Sequence, residues 1–398
     1  MNYRIDPKNG NHLSILGYGC MRYTKKATGI DYEKAKKEME YAYQNGVNYF
    51  DTAYVYAGCE EVLGRFLDEL SIRDKVFIAT KLPHYLVKKQ EDFDRYFNEQ
   101  CRRLRTDYID YYLMHMLNDL DAFRRLQELG IDEWIQKKKE SGQIRNIGFS
   151  FHGGKQEFIR ILDGYNWDFC QIQYNYMDEN AQASRGGLQY ASSVKKLPVI
   201  IMEPLRGGRL VQLLPDKAKK IWQDASPKRS AAEWALRWIW NQEEPTVVLS
   251  GMNSMEQVTE NVRTASDVKI GGLSEEELHL YEKVKESIAH SIKVGCTGCG
   301  YCVPCPKGVD IPNCFRAYNV RYTEGFVNGM REYLMMTSMK QNLSNASLCA
   351  KCGACEKKCP QQSPIRDELA NVVKKMENPI YKIARRVVQT QKAYKKKK

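Results

Sequence analysis

No run of apolar residues in the 398-residue sequence approaches the ~20 needed to cross a bilayer as a helix, so neither a membrane protein nor a membrane partner is expected. The opening stretch, MNYRIDPKNGNHLSI, has neither the basic nor the apolar half of a signal peptide, and the expectation is a soluble, cytoplasmic chain. No GxGxxG follows the first strand-like run, which argues against an open dinucleotide-binding sheet. No nucleic-acid-binding motif accompanies the formal net charge of +12, so nucleic acid is not expected as a partner. Internal repeats are absent, no flavin motif is visible, and the only low-complexity tract is the lysine run at the end.

Hydrophobic residue types make up 43% of the sequence, enough for one full core and a second, smaller unit. Of the 13 cysteines, Cys20, Cys59, Cys101 and Cys170 are scattered singly, and the rest fall after residue 295. That division fits a reducing compartment and a dedicated ligand cluster rather than a disulfide-stapled scaffold. Part of the positive charge is local, since YKIARRVVQTQKAYKKKK carries eight Lys or Arg residues and no acid. Such tails are commonly solvated and frayed. The functional reading is docking of an acidic redox partner such as a ferredoxin, because complementary charge speeds encounter.

From Leu13 to Ser250, short β-branched or aromatic runs alternate with amphipathic stretches, as in a parallel sheet with crossover helices. Strands are predicted at Ser14–Gly19, Tyr49–Asp51, Val76–Lys81, Ile109–His115, Ile147–Ser150, Phe169–Tyr174, Pro198–Met202 and Val247–Ser250. Asp31 caps one intervening helix and Gly46 ends it, while Ser274 and Glu277 form a capping box for a later one. Eight such units predict an α/β fold of the TIM-barrel type over residues 1–291, followed by a smaller, mainly helical domain over 292–398.

Cys296, Cys299, Cys302 and Cys305 follow CxxCxxCxxCP spacing; Cys349, Cys352, Cys355 and Cys359 follow CxxCxxCxxxCP. Three closely spaced thiolates grip three irons of one cubane, and the fourth cysteine, followed by proline, turns to the other cluster. One 4Fe-4S cluster would take Cys296, Cys299, Cys302 and Cys359, and the other Cys349, Cys352, Cys355 and Cys305. Structural zinc is the alternative, although zinc ribbons pair two CxxC knuckles rather than run four cysteines in series. Cys314 is left over as a buried or spare thiol. The long gap between the motifs reads as helical, so the module resembles the helical ferredoxin type.

In the first domain, Asp51 ends the second strand, Tyr56 follows it, Lys81 ends the third and His115 ends the fourth. Barrel enzymes keep their active sites at this C-terminal face. Singly, a helix cap, a packed tyrosine, a solvated lysine and a core histidine would explain them; four at consecutive strand ends point to one site. His84 and the neighbouring loops would line its pocket.

The segments FDTAxxY, TK after the third strand, LMH after the fourth and IGFS in the fifth resemble the aldo-keto reductases over about residues 13–265, supported by CQIQYN, PLRGG and SGMNSMEQVTEN. The whole chain resembles a subgroup with a C-terminal ferredoxin-type extension. The resemblance implies carbonyl reduction of a small molecule, with hydride from NAD(P)H and a proton from Tyr56. It further implies that Lys81 lowers the Tyr56 pKa, Asp51 holds Lys81 and His115 orients the carbonyl. Ser150 and Gln171 match carboxamide contacts; Ser250, Gly251, Ser254, Gln257 and Asn261 match the loop around the adenosine half. Arg206 and Arg209 would meet phosphate oxygens. Met202 stands where many relatives stack an aromatic ring, Phe151 and His152 follow Ser150, and GMNSMEQ lacks the basic residue that grips a 2'-phosphate.

Hydride carries two electrons and a 4Fe-4S cluster passes one, so direct coupling needs a mediator such as a flavin. Three readings follow: a nicotinamide-dependent reductase with separate clusters, a ferredoxin-fed reductase using a flavin or cluster electrons, and a non-catalytic electron carrier or redox sensor.

Overall fold

Short runs rich in Val, Ile, Tyr and Phe become strands where both faces are covered, and eight of them close into a parallel barrel in the computed structural model. The structure describes residues 1–27, 29–180, 182–289, 292–296, 302–338, 343–359 and 363–386. Cys299 and tail residues 387–398 lie outside the described residues. The barrel strands are β1 (Leu16–Gly19), β2 (Tyr49–Asp51), β3 (Phe77–Leu82), β4 (Ile109–Met114), β5 (Ile144–Phe151), β6 (Phe169–Gln173), β7 (Val199–Met202) and β8 (Pro245–Ser250). They pair in chain order, and β8 returns to β1 through Val248↔Leu16 and Ser250↔Tyr18.

Each strand was legible, with shifts at the ends. β5 starts earlier than predicted because Arg145, which looks loop-like in QIRN, points outward and pairs with Asp110 at 2.8 Å. The predicted first strand is divided: His12–Ser14 pairs antiparallel with Tyr3–Ile5, and only Leu16–Gly19 enters the barrel. Buried Asp6, beside this hairpin, accepts a 2.8 Å bond from the Tyr111 hydroxyl of β4. The barrel interior is filled by Leu13, Tyr49, Tyr111, Leu113, Phe169, Ile200 and Val247 among others, a packed core rather than a pore.

Capping follows the predicted chemistry. Asp31 accepts from the Lys34 N–H and begins the helix Tyr32–Gln44. Ser274 and Glu277 bond reciprocally, N–H to carboxylate at 2.9 Å and N–H to hydroxyl at 3.2 Å, at the start of Glu275–Ala289.

The residues fall into two compact groups, 1–207 with 229–278 and 208–228 with 279–398. The second group contains the helices Ile311–Thr323, Phe326–Ser338 and Ile365–Met376. Their core joins Val309, Phe315, Tyr318, Tyr333, Leu369 and Met376, with Cys296, Cys302, Cys305, Cys349, Cys355 and Cys359 packed against it. A Cβ at Gly329 would sit 2.6 Å from the Arg321 backbone, so glycine permits the close crossing of the first two helices.

Candidate active site and cluster site

Parallel pairing in register brings the C-terminal ends of the barrel strands to one rim: Gly19 lies opposite Asp51, Asp51 opposite Ala79, and Lys81 opposite Leu113. The sequence-predicted Asp51, Lys81, Tyr56 and His115 meet there. Lys81 Nζ lies 2.6 and 2.7 Å from the two Asp51 carboxylate oxygens and 2.7 Å from the Thr52 carbonyl. Its three protons are thereby used, and both side chains are buried. The Tyr56 ring centroid is 5.4 Å from Nζ, and the ring stands edge-on to His115 at 5.9 Å. The His115 backbone N–H donates to Leu82 O at 2.9 Å, which anchors the residue between β3 and β4.

Electrostatics depart from expectation at one point. Lys81 was expected to pull the Tyr56 phenol down; instead, burial followed by the Asp51 charge pushes it up. The physical reason is that Asp51 neutralises the ammonium at contact distance, while the half-buried phenol must give up water to ionise. Burial, then the Lys81 charge, holds His115 down at about 3. Its Nδ1 is buried without a hydrogen-bond partner, so a neutral imidazole faces the site.

The residues matched to cofactor positions are distributed as follows. Ser150 Oγ accepts from the Met116 N–H at 2.8 Å, and Gln171 Nε2 donates to Asp51 Oδ2 at 2.9 Å, placing both beside the tetrad. At the end of β8, Asn261 Nδ2 donates to Ser250 Oγ at 3.0 Å, and Ser254 caps the helix Met255–Asp267. Gln257 Oε1 accepts from the Asn253 N–H at 2.9 Å. Gly251 follows β8 on the same rim.

The two arginines are engaged elsewhere. Arg206 forms a two-pronged pair with Asp178, both contacts at 2.8 Å, and Gln173 also donates to that carboxylate at 2.6 Å. Arg209, in the second compact group, pairs with Glu324 and Glu332 at 3.4 and 3.3 Å.

Sequence reasoning missed Arg22, just after β1. Its side chain passes so close to two loops that a Cβ at Gly207 would lie 2.6 Å from Nη2 and one at Gly251 2.9 Å from Cδ. The glycines of PLRGG and SGMN were the available signal. Also missed was a buried network behind Lys81. Gln100 Nε2 donates to Glu60 and Thr80 at 2.9 Å and to the Lys81 carbonyl at 3.2 Å, while its Oε1 accepts from the Tyr112 hydroxyl at 2.8 Å.

In the second group, Cys302, Cys305, Cys349, Cys352 and Cys355 line one cavity together with Pro304, Ile311 and Leu369. A ring of thiols in a largely apolar wall fits a sulfur-bridged cubane. The Lys351 N–H points at Cys349 Sγ, 3.4 Å away, from a left-handed turn with φ 54°. Cys314 is buried in the helical core, with its Sγ 3.7 Å from Ser344 O.

Known protein families match successive stretches of the sequence. Residues 15–286 match the model of the aldo/keto reductase family, and residues 295–364 match a 4Fe-4S dicluster domain. An L-galactose dehydrogenase of Arabidopsis thaliana is 28% identical over 70% of this chain and 92% of its own. A probable aldo-keto reductase of Glycine max is 31% identical, covering 64% of this chain and 81% of its own. Among solved structures, an aldo-keto reductase from Bacillus halodurans in its holo form superposes with a TM-score of 0.58 at 24% identity, covering 71% and 96% of the two chains. One from Klebsiella pneumoniae in complex with NADPH gives 0.57 at 22%, covering 72% and 95%. At these identities the superpositions speak for the fold. Among the described residues, no helix is long and apolar enough to cross a membrane.

Proposed function

Because the chain belongs to the aldo/keto reductase family, we propose that it reduces the carbonyl group of a small molecule at the mouth of the barrel, with NADH or NADPH as donor. The observation that carries this reading is the buried Lys81–Asp51 pair with Tyr56 and His115 against it. A bound nicotinamide supplies the hydride. Tyr56 keeps its proton at neutral pH, the state a general acid needs, and hands it to the carbonyl oxygen. Lys81, held in one place by Asp51 and the Thr52 carbonyl, stabilises charge as it appears on the phenol oxygen. Neutral His115 orients the carbonyl and donates to its oxygen without adding a second cation beside Lys81.

Ser150 and Gln171 would hold the carboxamide beside this centre, and Ser250, Gly251, Ser254, Gln257 and Asn261 the adenosine half. Arg22 takes over the phosphate role first given to Arg206, whose guanidinium is engaged by Asp178. In the C-terminal domain, Cys296, Cys299, Cys302 and Cys359 would hold one 4Fe-4S cluster and Cys349, Cys352, Cys355 and Cys305 the other, supplying one-electron chemistry.

The test is anaerobic purification with iron, sulfide and flavin analysis, followed by NADH or NADPH oxidation with a simple aldehyde. Turnover that depends on Tyr56 supports the reading; loaded clusters with no turnover from either nicotinamide count against it. A ferredoxin-fed reduction is the second reading, favoured by the dicluster match and by Met202 at the end of β7. Tightly bound flavin, or turnover only with a one-electron donor, would select it.

A further inference from the structure

Basic side chains gather beside the cysteines assigned to one cluster. Cys352 is exposed, whereas Cys305, Cys349 and Cys355 are half-buried around the same cavity. Lys307, Lys358 and Arg366 also line it, and exposed Lys351 and Lys357 neighbour it in the chain. Glu356 does not neutralise these lysines. Its carboxylate accepts from the Arg366 backbone N–H at 2.9 Å and from the Arg366 guanidinium at 2.8 Å. Two apolar side chains close by in the chain, Val303 and Leu348, are 43% and 36% exposed. The surface thus combines an exposed ligand cysteine, apolar contacts and a basic rim.

We propose that this surface is the electron-entry port of the protein and that its occupant is an acidic one-electron carrier protein of the ferredoxin type. The proposal rests on the reading of Cys305, Cys349, Cys352 and Cys355 as ligands of one 4Fe-4S cluster. Electron transfer falls steeply with distance, so a carrier docks where the cluster comes nearest to solvent, and exposed Cys352 marks that edge. Weak redox complexes bury little area, so steering by complementary charge decides their encounter rate. One electron leaves the carrier's reduced iron-sulfur centre, which is oxidised, and enters this cluster, which is reduced. No bond forms or breaks, and no proton moves.

The experiment uses the full, cluster-loaded chain and an acidic 2Fe-2S ferredoxin as probe. Affinity is read by calorimetry with both partners oxidised, and electron transfer by stopped-flow absorbance with reduced ferredoxin, each across ionic strength. Lys351→Glu combined with Lys358→Glu should weaken binding about tenfold or more and remove most of its salt dependence. Lys88→Glu combined with Lys89→Glu changes the net charge equally at exposed positions of the barrel sequence and should leave binding within about twofold. The proposal is overturned if the first pair binds like wild type, if both pairs weaken binding alike, or if a basic cytochrome c binds as tightly as the ferredoxin. Iron and sulfide are measured first on every variant. A wild-type chain that holds no iron at these cysteines overturns the cluster reading and the port with it, whereas loaded clusters with unchanged binding overturn the port alone.

Discussion

Gln171 Nε2 donates to Asp51 Oδ2 at 2.9 Å, joining β6 to β2 across the mouth of the barrel. The Asp51 carboxylate is therefore shared between the Lys81 ammonium and a carboxamide from the opposite strand. Losing one member of this buried arrangement should cost more than the loss of an exposed pair.

Lys81→Met strands the buried Asp51 carboxylate, and a broken buried pair typically costs about 3–5 kcal/mol. Combining it with Asp51→Asn should restore part of that loss. Urea denaturation of the two single variants and the double variant forms the cycle; strictly additive losses would show that the pair is not coupled.

Tyr56→Phe removes the proton donor and nothing else of that side chain. Turnover of an aldehyde with reduced nicotinamide should fall about 10²–10⁴-fold at unchanged thermal stability, since a positioned general acid contributes on that scale. A variant within a few-fold of wild type would assign the proton to another group.

His115 is held down at about 3, against an ordinary value of 6.5. Between those limits the unfolded chain binds a proton at this position and the folded chain does not, so its contribution to stability is present above pH 6.5 and is lost as the pH falls. The slope reaches at most about 1.4 kcal/mol per pH unit. His115→Asn should flatten the acid side of the stability curve measured by tryptophan fluorescence in urea; identical slopes would refute the shift. The same neutrality predicts no limb from His115 in the kcat/KM profile near neutral pH.

Arg22→Ala should raise the KM for reduced nicotinamide about tenfold or more, the scale of one charge-assisted hydrogen bond, with little effect on stability because the side chain is exposed. Arg206→Ala should do the reverse, destabilising the fold by uncovering Asp178. Steady-state kinetics beside a melting curve separates the two.

Cys352→Ser should lower bound iron from about eight to about four per chain, as loss of one cubane requires. Cys314→Ser should leave iron unchanged, since its sulfur lies in the helical core against Ser344 O. Iron and sulfide analysis after anaerobic purification decides between these outcomes.

Local pattern determined a large part of this protein. Short β-branched or aromatic runs between amphipathic stretches exposed all eight strands, and the position of Asp51, Lys81 and His115 at strand ends follows from strand length alone, so their meeting on one rim was legible once the barrel was recognised. Cysteine spacing likewise carries its own geometry. The tertiary structure decided which groups meet across the chain. Gln171 reaches Asp51 over 120 residues, Arg206 turns to Asp178, Arg22 passes beside Gly207 and Gly251, and the segment before β1 folds into a hairpin. It also set the direction in which Tyr56 titrates, because a pKa depends on burial and on neutralised neighbours, and neither is a property of residues adjacent in sequence.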